Sequence, residues 1–304
     1  MGGLGEIWIE AGRLIRGEVP WFVKAFGSRA DGPVPVFIYH TIDPVVFEAH
    51  LLFLAENGYE TWDADTYLEY LSGRTTKDNP RAVVLTIDDA RLTVWTHGYP
   101  LLKKYGARAV VFVIPGLTPD APPRELSGKS RGDGDDEIVN WSEIRLMHES
   151  GHVDVQSHSL YHVQVPRSPK VVSLLDSFET VRAFDSVPAP VGFEDLPIRA
   201  HREDLLGFPV FDGSSLFLGG ERFVPPEEFI EACVKGWRRD EDRAHGEGVE
   251  SFLRRIAWPP ERIAGEGRYA LVEPEIEHSL RRSRHIIEER LPGKAVRHFC
   301  FPYG

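Results

Sequence analysis

Two aspartates, Asp88 and Asp89, stand side by side at the end of the run RAVVLTI, residues 81–87. An apolar, β-branched run of that length reads as a buried strand. Adjacent carboxylates repel, and each raises the other's pKa. A cation relieves the repulsion if one of them ligates it, and the other then stays nearby as a base. Further along, HSLYH sets His158 and His162 four residues apart. If that segment turns helically, both imidazoles lie on one face with Cβ atoms about 5–6 Å apart. Two ring nitrogens, each about 2.0–2.1 Å from an ion, can then share one zinc. A carboxylate as third ligand would leave a position open for water. Taken singly, the histidines also fit ordinary strand caps and Asp-Asp a solvated turn. A carboxylate pair and a histidine pair on neighbouring strand ends favour a metal.

Residues of that kind need strands to bring them together. VPVFIYH (34–40), RAVVLTID (81–88), ARAVVFVI (107–114), HVDVQSH (152–158) and AVRHFCF (295–301) read as strands. A helix is expected after Asp43-Pro44, where an N-cap precedes proline at the first helical position, and it should stop at Asn57-Gly58. Further helices are expected at 63–72, through Leu101-Leu102, and at 141–151 and 274–293. Strands alternating with helices imply an α/β fold with a parallel sheet and right-handed crossovers. At this length a closed barrel is the favoured form. Its strand ends would form one rim carrying Tyr39-His40, Asp88-Asp89, His158–His162 and Phe301–Gly304. Residues 164–273 break the rhythm and read as an insertion within a single domain spanning 1–304, with helical patches near 226–236 and 249–256.

Composition narrows the classes. The 304 residues are 42% hydrophobic and 27% charged, the balance of a soluble globular protein. A net charge of −12 argues against nonspecific nucleic-acid binding, which needs a basic face. Two cysteines, Cys233 and Cys300, are too few for a disulfide framework and fit a reducing compartment. Glu6, Glu10, Arg13 and Arg16 interrupt the N-terminal apolar residues, so neither a secretory signal nor a membrane span is expected, and the expected location is cytoplasmic. The acidic loop DGDDE (133–137) reads as a solvated turn, and Cys300 as a packed thiol.

These motifs, in this order, resemble the polysaccharide deacetylases of the NodB-homology superfamily. TIDD (86–89) is similar to the family's TFDD, HSLYH to its H-S/T-x-x-H, and FPYG (301–304) to its aromatic-Pro-aromatic-Gly turn. The YH of VFIYH resembles the branch acting on poly-N-acetylglucosamine. The resemblance covers about 34–162 and 274–304. It implies a deformed (β/α) barrel of the NodB type, here incomplete at its C-terminal end and carrying a long insertion. It also implies Asp88 as catalytic base, and Asp89, His158 and His162 as ligands of one divalent ion. Zinc (Zn2+) is the first expectation, with Co2+, Ni2+ or Fe2+ able to substitute. Pro302 and Tyr303 would line the acetyl pocket, with the Tyr303 N–H helping to hold the oxyanion, and His40 would lie at the substrate's edge. The implied partner is an acetylated carbohydrate. Ala90-Arg91 depart from the glycine and aromatic usual after the aspartates. No later motif supplies the family's general-acid histidine before Gly304, so slow turnover and self-association through an open sheet edge are expected. The alternatives are a hydrolase of a small non-polymeric amide, or a catalytically weak carbohydrate-binding protein.

Overall fold

The computed structural model describes residues 34–74, 81–126, 137–175, 206–239 and 247–303. The N-terminal segment and nearly all of the acidic loop at 133–137 lie outside these residues.

Strand β3 (Ala82–Ile87) is the axis of the molecule, and all six of its residues are buried. Valine, leucine and isoleucine on both faces suit a strand covered on both sides. β1 (Val36–Tyr39) runs parallel to it, with Val36 opposite Val84 and Tyr39 opposite Ile87. β2 (Glu60–Trp62) pairs with the start of β3, and β4 (Ala109–Val113) with its end. β5 (Val153–Ser157) pairs with β4 along its full length. Parallel strands need crossovers, and helices supply them. α1 (Pro44–Glu56) begins at Asp43, whose side chain accepts from the Val45 and Val46 N–H groups, and it buries Phe47, Leu51 and Leu54. α2 (Ala64–Leu71) and α3 (Tyr99–Tyr105) follow β2 and β3. α4 (Trp141–Glu149) opens on a reciprocal capping box between Asn140 and Glu143. These elements enclose one core that includes Phe47, Leu85, Ile87, Val111 and Ile144.

The barrel is deformed and open rather than closed. Among the described residues the sheet runs β1-β3-β4-β5, with β2 added on β3, and no strand joins β1 to the far edge. AVRHFCF does not form a strand. It meets β5 at a single bridge, Ser157 with Phe299. The reason is where its donors go. The Val296 N–H donates to Glu288 Oε1, and those of Arg297 and His298 to Gln156 Oε1, so side chains take bonds that a ladder would use.

Residues 164–273 hold more strand than expected. β6 (Gln164–Leu174) and β7 (Pro209–Ser215) form an antiparallel pair, as do β8 (Glu221–Val224) and β9 (Arg268–Leu271). α5 (Glu227–Arg239) and α6 (Val249–Arg255) answer the two expected helical patches, and α7 (Pro260–Glu266) joins them. Phe211, Phe223, Phe229, Cys233, Trp237, Phe252 and Trp258 pack there as a second core. α8 (Glu273–Arg290) returns to the sheet and lies against β5.

Candidate metal centre

At the end of β3 the Asp88 N–H donates to the Tyr39 carbonyl at 2.8 Å, which extends the β1–β3 pairing by one bond. The chain then turns through two left-handed residues, Asp89 at φ 65° and Ala90 at φ 53°. Aspartate tolerates this conformation, whereas an alanine Cβ is crowded by it at about 1–2 kcal/mol. The usual glycine would sit there without strain.

His158 follows β5, and its N–H donates to the Val113 carbonyl at 2.8 Å. Its Nδ1 lies 3.0 Å from the Cys300 carbonyl. A carbonyl only accepts, so Nδ1 carries the proton and Nε2 is left to face the site. The 158–162 segment does not turn helically. Ser159 (φ 78°) and His162 (φ 55°) are both left-handed. Serines hold the loop instead: Ser159 Oγ accepts from the His162 N–H at 2.9 Å, and Ser279 Oγ from the Leu160 N–H at 3.1 Å. The imidazoles still lie together, with ring centroids 5.0 Å apart.

Asp89 Oδ1 lies 3.4 Å from His158 Nε2 and 3.7 Å from His162 Nε2. Its other oxygen, Oδ2, accepts from Arg91 Nε and Nη2 at 3.2 and 3.0 Å. Burial alone would raise the Asp89 carboxyl. Hydrogen bonding to His158, the charges of His162 and His158, and the Arg91 contact outweigh burial and hold it at about 2. Asp89 is therefore an anion at neutral pH, and its buried Oδ1 faces the two imidazole nitrogens. An anionic oxygen set against imidazole nitrogens needs something positive between them, either an imidazolium proton or a metal ion. The donors of Asp89, His158 and His162 lie within 4.8 Å of one another, and all three residues are buried. One carboxylate and two imidazoles suit a divalent transition metal. The residues present fit such an ion.

Asp88 is also buried, and its Oδ1 has no hydrogen-bond partner. Its Oδ2 lies 3.4 Å from the Cys300 thiol, which donates to it. Burial, then the neighbouring Asp88 and Asp89 charges, push that thiol up to about 12. Tyr303 rests on His162 with ring centroids 4.4 Å apart, and Pro302 beside it is buried. His40 is exposed at the end of β1, on the same rim but outside this contact cluster. The structure thus gathers Asp88, Asp89, His158, His162 and Tyr303. Reading the sequence missed Arg91 as the clamp on Asp89, although an arginine two residues past a carboxylate was the available signal. Thr41 was missed with it; its Oγ1 accepts from Arg91 Nη1 at 2.9 Å.

The chain is similar in part to several known proteins. The polysaccharide deacetylase family model matches residues 75–186, which include both aspartates and both histidines. YxkH of Bacillus subtilis (strain 168), a protein named for the polysaccharide deacetylases, is 27% identical over 140 residues, 43% of this chain and 44% of its own length. The chain thus spans less than half of that curated relative. Among solved structures, a de-N-acetylase from Aggregatibacter actinomycetemcomitans is 18% identical with a TM-score of 0.46, over 89% of this chain and 79% of that one. IcaB from Ammonifex degensii is 19% identical with a TM-score of 0.44, over 91% and 76%. The polysaccharide deacetylase family model thus covers the segment that carries the four residues of the candidate metal centre.

Proposed function

We propose that this chain is a metal-dependent hydrolase that removes the acetyl group from an N-acetylated sugar. One observation carries the reading. A buried anionic oxygen, Asp89 Oδ1, faces two imidazole nitrogens, and a second buried carboxylate, Asp88, stands beside it. Asp89, His158 and His162 would hold the ion, and zinc suits that donor set. When bound, the ion would acidify a water and polarise the acetyl carbonyl. The chain's own residues do the rest. The Cys300 carbonyl fixes the His158 tautomer, and Arg91 fixes the plane of the Asp89 carboxylate. Asp88, with one oxygen on the Cys300 thiol, keeps Oδ1 to accept a proton from attacking water. Tyr303, packed on His162, would border the acetyl group, and exposed His40 would meet the sugar.

The test is metal analysis of the purified chain together with acetate release from N-acetylated and O-acetylated oligosaccharides. One equivalent of zinc and release from the N-acetylated series supports the reading. Release from the O-acetylated series alone would reassign the substrate. Metal without any release would favour a sugar-binding role.

A further inference from the structure

Cys300 belongs to a second group of donors. The Asp88 carboxylate, the His158 imidazole and the Cys300 sulfur also lie within 4.8 Å of one another. Asp88 and His158 are 6% and 2% exposed, and Asp88 Oδ1 is buried without a hydrogen-bond partner. His158 Nδ1 is occupied by the Cys300 carbonyl, so Nε2 is the nitrogen it has to offer. The same Nε2 faces Asp89 in the first set. The two sets therefore compete for one nitrogen.

We propose that Asp88, His158 and Cys300 form an alternative site for a thiophilic divalent cation of the cadmium class, exclusive with the Asp89–His158–His162 set. Ligand softness separates the two. A thiolate selects soft ions, whereas a carboxylate with two imidazoles serves zinc as well as harder metals. Binding would release the thiol proton to solvent and form a sulfur–metal bond. The same ion would engage the Asp88 carboxylate and remove it as a base. That inhibitory consequence rests on the function proposed above; the binding itself rests on the donor geometry alone.

Cadmium chloride is titrated into the intact chain while the ultraviolet thiolate-to-cadmium charge-transfer band is followed. One equivalent should generate the band. Cys300→Ser should abolish it and weaken cadmium binding by more than the about 10–100-fold that losing an outer-shell partner costs. His162→Ala should keep the band, because His162 is not in the thiolate set. Cys233→Ser should also keep it, because Cys233 is sealed in the second core. No band in the wild-type chain, a band that survives Cys300→Ser, or one lost with His162 would each overturn the proposal. Acetate release is measured on the same samples without cadmium. Its absence sinks the deacetylase reading and leaves the band as the test of this site.

Discussion

Asp88 and Asp89 are neighbours in sequence yet face different partners, and the roles proposed for them follow that difference. Asp89 is set against two imidazoles and a guanidinium, Asp88 against a thiol. Asp89→Asn should cut metal affinity, because an amide brings no charge to balance the ion. Asp88→Asn should keep the metal and lower acetate release by about 10²–10⁴-fold, the usual contribution of a general base. Metal titration beside a turnover assay decides; an Asp88→Asn protein that loses metal but works on added zinc would mean the roles are exchanged. Ala90 offers a stability test. Its φ of 53° argues for glycine, but Ala90 is also 1% exposed within the main core. Relief of about 1–2 kcal/mol of left-handed strain is offset by about 0.8 kcal/mol for the lost methyl and about 0.4–1 kcal/mol of unfolded-chain entropy. Ala90→Gly should therefore stay within about 0.8 kcal/mol of wild type. Ala90→Val, β-branched and overpacked in the same conformation, should lose about 2 kcal/mol or more. Urea unfolding midpoints at equal slope measure both.

Elements differ in how strongly they hold the site. The loop before α4 is tied down by Arg124, which donates to buried Glu143 through Nε at 2.8 Å and Nη2 at 2.7 Å. Glu143 also caps α4 through the Asn140 N–H. Removing Arg124 leaves that carboxylate buried with fewer partners. Arg124→Ala should cost about 2–3 kcal/mol, below the about 3–5 kcal/mol of a fully buried pair because the arginine keeps some solvent. Arg124→Ala with Glu143→Leu should recover part of the loss; thermal unfolding of single and double variants reads the coupling. Elements also differ in how far sequence announced them. β3 and β4 were legible because burial on both faces leaves an uninterrupted apolar run. α1 was legible from Asp43-Pro44 and its Phe47, Leu51 and Leu54 spacing. β2 was not, since three residues, Glu-Thr-Trp, carry no period. β6 was hidden by two prolines and by a burial pattern that does not alternate. The path of the 158–162 loop was not legible, because the serine hydroxyls that shape it include Ser279, far away in sequence. The four central site residues were legible because their chemistry needs those types; their supports were not, because hydroxyls and carbonyls occur everywhere.

Among the described residues, the two largest buried clusters share no residue. One surrounds β3, β4 and β5; the other surrounds Phe211, Phe229 and Trp237. A small cluster of Val163, Val165, Leu216 and Val272, with Ile276 of α8 against it, lies between the elements that carry them. Phe217 adds a contact to Phe299 and Phe301, with centroids 4.9 and 6.1 Å apart. Links this small among the described residues should let the second core loosen without unfolding the first. The two thiols then become reporters of separate regions, Cys233 of the second core and Cys300 of the site. Phe229 is fully buried, so Phe229→Ala should cost the second core about 3–5 kcal/mol through cavity formation. Cys233 should become reactive toward a thiol reagent at a urea concentration well below the wild-type midpoint. Hydrogen exchange in β6–β9 and α5–α7 should accelerate at the same concentration. Protection of β3–β5 should persist there, and so should the metal stoichiometry, because Asp89, His158 and His162 draw their supports from Arg91, Cys300, Ser159 and Ser279 rather than from the second core. Loss of protection in β3–β5 together with Cys233 exposure would make the molecule a single cooperative unit, with the residues between the cores carrying more stability than their buried area implies.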